Sequence, residues 1–418
     1  MLTNTLHTYN SRQDPLVDLT FLGSLPNQTT FTRASSAWYF DSTGTLQQAS
    51  SNAPRFDCDP ATGVLKGLLI EEQRTNRIKN STMVGAAVGG WYLPNYWSSW
   101  QNAGLTREVV GLGTEYGMPY IDLSFSGTAS NTMCNVTFND NSASAAKDEK
   151  WTASFFVKLV SGSMSGITSI SIGIDEQQIG TYLTGSSSAF TPTSTIQRIQ
   201  HSRTLTHSST NVVVSLFKLN VQTGQAINIT VRLYQPQLEK AIGSNAFATS
   251  PIVTSGSAVT RAMDSLYTAS IPWFSASEGA FMVEGIYQGR TNDAQGAVFS
   301  DGSNNNTIRN HLQVSDGKPV GAFRISGVDK FSGAGLGNIS ENSIFKMAQR
   351  YKSGNSYFAA NGVLDGAGDM GSSTLPSGIN RLDLGNRPDG FRPLNGWLRQ
   401  FRYWNRTLTN VELVRVTQ

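Results

Sequence analysis

The sequence has few of the residues that mark a metalloprotein, a disulfide-rich scaffold or a nucleic-acid-binding protein. Its two cysteines, Cys58 and Cys134, lie too far apart for a CxxC metal motif and do not form the framework of a small secreted domain. Charged residues make up 15% of the chain, and 32 basic and 29 acidic residues give a net charge of +3 without a long basic run. We therefore expect two reduced thiols and no nucleic-acid partner.

Long apolar runs and helical periodicity are also scarce. No stretch approaches the length that spans a membrane, so membrane insertion is not expected. Residues 1–10 mix Thr, Asn and His with few apolar residues, and they lack the basic start and apolar stretch of a signal peptide. These features predict synthesis in a cytoplasm and, for a protein that ends outside the cell, release by lysis.

The sequence does have the composition of many short strands joined by turns. Glycine contributes 40 of the 418 residues, and the segments 153–159 and 227–234 alternate in a period of two. Such alternation is typical of antiparallel sandwiches with one buried and one wet face. We predict an all-β fold of tandem β-sandwich (jelly-roll) domains with a small N-terminal β/loop module. The only good helix signal is a capping box from Thr409 to Glu412.

Changes in pattern divide the chain into three predicted domains. Residues 1–80 are dominated by turn signals around short apolar pieces, which predicts a compact docking module. Residues 81–262 carry the clearest alternation and form the first predicted jelly roll. Residues 263–418 repeat the pattern, with a hairpin signal at Asn361-Gly362, and form the second.

Three motifs near the N-terminus occur in an order that resembles tailed-bacteriophage tail and virion structural proteins. They are Phe31-Thr-Arg-Ala-Ser-Ser36, Pro54-Arg-Phe-Asp57 and Gly67-Leu-Leu-Ile-Glu-Glu-Gln-Arg-Thr-Asn76. The resemblance implies that residues 1–80 dock on the particle, with Arg33, Arg55 and Arg74 as candidate virion-docking residues. It also implies other virion proteins as partners, a place in the virion after synthesis in the bacterial host cytoplasm, and a homo-oligomer. A trimer is expected from the family alone, since no heptad pattern is present.

Two later regions resemble sugar-binding folds. The segments 104–111, 120–123 and 236–262 resemble a jelly-roll module that follows in the same phage proteins and is similar to carbohydrate-binding modules. The segments 357–364 and 396–408 resemble the laminin G and concanavalin A-like lectin fold. The resemblance implies the fold of each domain more than its function, because such sandwiches carry many unrelated functions.

Two aromatic groups are the candidate ligand-binding residues. Exposed aromatic rings stack on sugars and also anchor protein interfaces. The first group is Trp91, Tyr92, Tyr96, Trp97 and Trp100, and the second is the basic aromatic strand with Arg399, Arg402 and Trp404. The favoured interpretation of the first group is packing at a sandwich edge or a subunit contact, with glycan binding as the alternative. For the second, arginine stems that cover an exposed strand face compete with binding of an acidic polysaccharide.

Residue patterns for catalysis and cofactor binding are missing. A glycosidase of the lectin-like fold needs two carboxylates on one face, yet Glu284 stands alone on its strand. The segment Asp301–Asn306 is interpreted as a turn, with calcium binding as the alternative. The glycine-rich Gly366–Gly371 is interpreted as a loop and not as a dinucleotide site. We therefore predict a protein without catalytic activity, metal or cofactor.

The function that these patterns favour is that of a virion fibre or appendage protein that attaches to the host surface, with glycans as candidate ligands. The alternative is a head or tail decoration protein that binds only other virion proteins. A capsule-degrading depolymerase is disfavoured by the missing carboxylate pair, unless an active site is assembled between subunits.

Overall fold

The computed structural model describes residues 14–140, 143–243, 245–331, 335–366 and 374–418. The N-terminal stretch that lacks a signal-peptide pattern and most of the glycine-rich loop at 366–371 lie outside the described residues. Regular structure in the described segments is almost entirely β, in antiparallel sheets, which confirms the predicted all-β, jelly-roll fold class.

The strands are numbered in chain order. The first fourteen are β1 (Val17–Thr20), β2 (Thr30–Thr32), β3 (Ala37–Phe40), β4 (Leu46–Ala49), β5 (Phe56–Cys58), β6 (Leu65–Ile70), β7 (Arg74–Asn76), β8 (Thr106–Glu115), β9 (Met118–Thr128), β10 (Met133–Thr137), β11 (Lys150–Gly162), β12 (Ile167–Gln178), β13 (Thr181–Phe190) and β14 (Gln197–Thr204). The others are β15 (Val212–Val221), β16 (Ala226–Lys240), β17 (Val259–Arg261), β18 (Ser265–Thr268), β19 (Glu278–Tyr287), β20 (Ala294–Ser300), β21 (Thr307–Leu312), β22 (Pro319–Ile325), β23 (Val328–Phe331), β24 (Ile344–Lys352), β25 (Tyr357–Ala360), β26 (Val363–Leu364), β27 (Arg381–Leu384) and β28 (Gly396–Trp404).

A single α-helix is present among the described residues, α1 (Asn410–Val416), and it begins at the predicted capping box. Glu412 donates its backbone N–H to Thr409 Oγ1 at 3.2 Å, and its carboxylate accepts the backbone N–H of Thr409 at 2.7 Å. The two bonds satisfy donors that the start of a helix leaves free. No helix in the described part of the chain combines the length and the apolar character that crossing a membrane requires.

The described residues form two compact units. The first comprises the residues up to Thr30, Ser265–Tyr287 and those from Asp293 to Gln418; the second comprises Phe31–Asp264 and Gln288–Asn292. Residues 31–80 thus group with residues 81–264 in the second unit. A separate docking module over residues 1–80, and the three-domain division as a whole, stay predictions.

The second unit is built around a sandwich of two antiparallel sheets. One sheet has the strand order β14-β11-β16-β9-β8 and the other β10-β15-β12-β13. Rings from both sheets meet in its core: the Phe217 ring centroid of β15 lies 6.1 Å from that of Phe125 and 6.3 Å from that of Phe155. Smaller antiparallel pairs, β3–β4, β5–β6 and β7–β17, complete the unit.

Strand β11 departs from the simple one-face prediction. Phe155 points into the sandwich core as its alternation predicts, but Phe156 on the opposite face is also buried. The hairpin β3–β4 covers that face, and the Phe40 ring packs edge-on against Phe156 at 5.6 Å between centroids. The apolar residue Phe156 on the face of β11 that was expected to be solvated therefore indicates that this face is covered as well.

The first unit is also a sandwich. Its strands follow the orders β26-β25-β24-β19-β28, with β1 paired to β28, and β18-β27-β20-β21-β22-β23. The Phe299 ring of β20 lies 5.1 Å from Phe281 of β19 and 6.0 Å from Phe401 of β28, which joins the two sheets. The predicted hairpin is confirmed: Asn361 and Gly362, with φ of 46° and 77°, connect β25 to β26.

The dependence of stability on pH tests the contribution of Glu176, a buried carboxylate of the second unit. Burial alone would raise the pKa of Glu176, but hydrogen bonds from Thr210, His207, Thr206 and Arg203 lower it from 4.5 to about 2. A pKa below the unfolded value means that this stabilisation is complete above pH 4.5 and is lost as the pH falls towards 2. Glu176→Gln should therefore lower the free energy of unfolding by about 1–3 kcal/mol at pH 7.

Denaturant titrations at pH 7 and pH 3 check this prediction. The deficit of Glu176→Gln relative to the unsubstituted protein should shrink at pH 3, because the unfolded state binds a proton on Glu176 at that pH and must release it on folding, which offsets part of the stabilisation. A deficit of equal size at both pH values would contradict the assignment.

Candidate functional site

The predicted aromatic group of the second unit does not form one surface. Trp97 is buried, its indole N–H donates to the Asn80 carbonyl at 2.9 Å, and its ring packs edge-on against Phe138 at 4.8 Å between centroids. This residue belongs to the core cluster of the second unit, and a ligand-binding role for it stays a prediction.

Trp91 and Tyr92 lie outside the cleft described below. The Trp91 indole N–H donates to Ser99 Oγ at 3.0 Å, and the Arg107 guanidinium lies 4.6 Å from the centroid of its ring. Tyr92 is 59% exposed. Both residues are accessible at least in part, and a ligand-binding role for them stays a prediction.

A cleft of about 760 Å³ crosses the outer face of the sheet β10-β15-β12-β13. Its floor residues alternate along their strands with core residues such as Cys134, Ile174 and Phe217, so they point away from the sandwich core. The floor is formed by Met133 and Asn135 of β10, Leu216 and Lys218 of β15, and Asp175 and Gln177 of β12. Residues 96–98, 100 and 101 form one wall, and Asn139, Asp140, Gly180 and Tyr182 complete the lining.

Three partly exposed aromatic rings line this cleft. Tyr96 is 40%, Trp100 49% and Tyr182 58% exposed, so their rings remain available for stacking. Lys79 Nζ lies 5.0 Å from the centroid of the Tyr96 ring. Sequence reasoning found Tyr96 and Trp100 but missed Tyr182, whose only signal is an isolated aromatic residue near the start of the Ser- and Thr-rich strand β13.

Two buried amides line the floor with unused hydrogen-bonding atoms. Asn135 Nδ2 and Gln177 Oε1 have no hydrogen-bond partner among the described residues. The other amide atom of Asn135 is used, because Oδ1 accepts the backbone N–H of Trp100 at 3.0 Å and so positions the aromatic wall. One free donor and one free acceptor beside aromatic rings suit a ligand rich in hydroxyl groups.

The carboxylates that line the cleft are each paired with a lysine. Asp175 accepts from Lys218 Nζ at 3.0 Å, and Asp140 accepts from Lys79 Nζ at 3.1 Å. Burial raises the pKa of Asp175, and the charge of Lys218 partly offsets that rise. No local sequence pattern predicts these contacts, because the paired residues lie on different strands or loops.

The basic aromatic strand β28 of the first unit is engaged in contacts within that unit. Arg399 Nε donates to Glu284 at 2.8 Å, and Arg402 Nε donates to Asp18 at 3.1 Å. Trp404 is buried in an apolar cluster. These contacts agree with arginines that cover a strand face, and a ligand-binding role for the three residues stays a prediction.

The candidate docking residues Arg33 and Arg55 are buried in a group that we name the arginine–carboxylate cluster. Its members are Arg33, Arg55, Glu71, Arg261 and Asp264, all within the second unit. Asp264 accepts from Arg33 Nη1 at 3.2 Å and from Arg55 Nη2 at 2.6 Å, and Glu71 lies 2.9 Å from Arg55 Nη2. Burial would raise the pKa of Glu71, but the charges of Arg261 and Arg55 lower it to about 2.

Arg74 is buried outside this cluster. Its Nε donates to Glu72 at 2.6 Å, and its Nη1 donates to the Lys240 carbonyl at 2.7 Å. The contacts of Arg33, Arg55 and Arg74 give them a role in holding the second unit together. Direct contact of these side chains with another virion protein stays a prediction.

The candidate calcium loop is a turn that uses its own carboxylate. Asp301 accepts the backbone N–H of Ser303 and the side-chain amide of Asn306, both at 2.9 Å. Within the described residues, no group of three or more His, Cys, Asp or Glu side chains is placed to hold a metal ion.

One family model matches part of the chain. The model of the concanavalin A-like lectin/glucanases superfamily, of laminin G type, matches residues 286–413. Residues 286–413 thus resemble laminin G-type lectins. This match confirms the predicted likeness of the last region to the laminin G and concanavalin A-like fold. No curated protein matches the sequence.

Several solved structures share a distant likeness with the chain. Domain 4 of AbnA, an extracellular arabinanase from Geobacillus stearothermophilus, is 16% identical with a TM-score of 0.32, over 42% of this chain and 82% of that one. The CBM22-1 xylan-binding domain of Paenibacillus barcinonensis Xyn10C is 14% identical with a TM-score of 0.25, over 41% and 94%. The tripod of the bacteriophage Tuc2009 baseplate is 11% identical with a TM-score of 0.32, over 84% and 100%. Likenesses at such scores carry no argument about what this chain binds.

Proposed function

We propose that this chain is a bacteriophage virion protein, of fibre or appendage type, that attaches to the host surface by binding a glycan in the cleft of the second unit. The observation that carries the proposal is the combination of Tyr96, Trp100 and Tyr182 with the free amide atoms of Asn135 and Gln177. Aromatic faces stack on sugar rings, while the amides pair with hydroxyl groups.

The virion role is supported by the three N-terminal motifs that resemble tailed-phage structural proteins. The proposal also includes a location in the virion, other virion proteins as partners and a homo-oligomeric state, for which we propose a trimer. Size-exclusion chromatography with light scattering of the purified chain measures that state directly, and a monomer at micromolar concentration would contradict it.

The proposed action is binding without catalysis. The carboxylates Asp140 and Asp175 each pair with a lysine, so neither is a free acid or base facing a glycosidic bond. A raised pKa such as that of Asp175 is also what a general acid needs. Measured release of reducing ends from host polysaccharide therefore distinguishes binding from cleavage.

A glycan array and a cell-binding assay with the purified chain test the proposal. We expect binding to a restricted set of host surface glycans and to intact host cells, with no release of reducing ends. Absence of glycan and cell binding, together with incorporation into particles, would favour the decoration protein that binds only other virion proteins. Release of reducing ends would favour the depolymerase.

A further inference from the structure

Both carboxylates of the arginine–carboxylate cluster already have arginine partners: Arg55 contacts both, and Arg33 contacts Asp264. Asp264 accepts from Arg33 and Arg55 and also takes the backbone N–H of Glu71 at 2.9 Å. Glu71 accepts the backbone N–H of Ser250 at 2.8 Å and its hydroxyl at 2.6 Å, besides its ion pair with Arg55.

Arg261 is the member of the cluster whose side chain makes no hydrogen bond to the described residues. Its side chain is 2% exposed, and Nη1 lies 3.5 Å from Glu71 and 3.8 Å from Asp264. Nε, Nη1 and Nη2 all lack a hydrogen-bond partner among the described residues. Glu71 and Asp264 compensate the charge of the guanidinium, but its three nitrogens keep donor capacity that an acceptor from outside this set can use.

Arg261 also lines a pocket of about 320 Å³ within the second unit. The hairpin β3–β4, residues 251–255 and the strand β17 form its walls. Ser36, Gln48 and Ser255 supply hydroxyl and amide groups, and Trp38 supplies an apolar surface. Among its lining residues, all of which the structure describes, none is acidic, so the pocket favours an anion over a cation.

We propose that this pocket binds a carboxylate group, with Arg261 as the charged donor and Ser36 and Ser255 as neutral donors. The planar guanidinium fork matches a carboxylate in two parallel hydrogen bonds, and such charge-assisted bonds are about twice as strong as neutral ones. The carboxylate belongs either to an acidic sugar or to an aspartate or glutamate side chain of another protein. This site is separate in position and chemistry from the cleft proposed for glycan attachment.

Calorimetric titration of the full chain at low salt tests the proposal with two carboxylate probes. Glucuronate represents the sugar source, N-acetylglutamate amide represents the side-chain source, and glucose and N-acetylglutamine amide are their uncharged counterparts. We expect at least one acid to bind at least tenfold more tightly than its uncharged counterpart, and the acid that binds identifies the source. Equal binding of acids and uncharged counterparts, or no binding of either acid, would overturn the proposal.

Two substitutions locate the binding in this pocket. Arg261→Gln should weaken binding of the acid at least tenfold. Because this substitution removes a buried charge from the cluster, circular dichroism must show that the variant is folded. Gln48→Trp, at an exposed position of β4, fills the pocket without replacing a residue of the cluster, and should abolish binding. Gln47→Trp on the opposite face of β4 is the matched control and should bind normally. Unchanged affinity in Gln48→Trp would place the carboxylate elsewhere.

Discussion

Replacing Arg55 by methionine is expected to lower the free energy of unfolding of the second unit by about 3–5 kcal/mol, the usual cost of breaking a buried ion pair on one side. The Arg55 side chain is fully buried, and its Nη2 contacts both Asp264 and Glu71. Its Nη1 also donates to Ser250 Oγ at 2.7 Å and to the Trp38 carbonyl at 3.1 Å. Methionine fills much of the volume, but it leaves two buried carboxylates facing fewer cations.

Denaturant unfolding followed by circular dichroism and tryptophan fluorescence measures this loss. Arg77→Met is the matched control, because Arg77 is exposed and lies just after the third N-terminal motif, so its replacement should change stability by less than about 0.5 kcal/mol. If Arg55→Met cost no more than Arg77→Met, the cluster would not be a main support of the second unit.

The cluster gives the N-terminal motifs a physical meaning that is independent of docking. Arg33, Arg55 and Glu71 each come from a different one of the three motifs, whereas Arg261 and Asp264 lie far along the chain. The contacts between Arg33 and Asp264 join residues 231 positions apart. Such charged contacts hold residues 31–76 against residues 250–264 in one unit, so substitution in a motif should act first on folding.

Local sequence patterns predicted those elements whose structure depends on contacts within a few residues. The Asn361-Gly362 pair predicted a hairpin because both residues tolerate positive φ, and Thr409 and Glu412 predicted the start of a helix because their side chains reach backbone donors within one turn. Strand alternation predicted which face of β11 enters the core at Phe155, since successive side chains point to opposite faces.

The candidate site was predictable only in part, because it depends on contacts between distant segments. Trp97 and Trp100 lie three residues apart in one loop, yet the first is buried and the second is half exposed. Nothing in the local sequence distinguishes them. Asp175 and Lys218 meet because β12 pairs with β15, a register that no local pattern specifies. The burial of Arg55 was missed for the same reason, since Asp264 is 209 residues away.

Trp100→Ala is expected to weaken binding of the glycan found on the array about 30-fold. This change in affinity corresponds to roughly 2 kcal/mol for a central aromatic contact. Trp100 lines the cleft with half of its surface exposed, and Asn135 fixes its backbone, so the ring is presented in a defined position. Because the ring is only half buried, its removal should leave the unfolding midpoint nearly unchanged.

Titration of the glycan into Trp100→Ala, Tyr182→Ala and Tyr92→Ala separates the cleft from the rest of the aromatic group. Tyr182→Ala should also weaken binding, since its ring lines the same cleft from β13. Tyr92→Ala removes a ring that is 59% exposed but lies outside the cleft, and it should bind with unchanged affinity. Loss of binding in Tyr92→Ala alone would indicate that the ligand binds at the loop that carries Trp91 and Tyr92, and not on the sheet face. Equal losses in all three variants would indicate a ligand too large for the cleft alone.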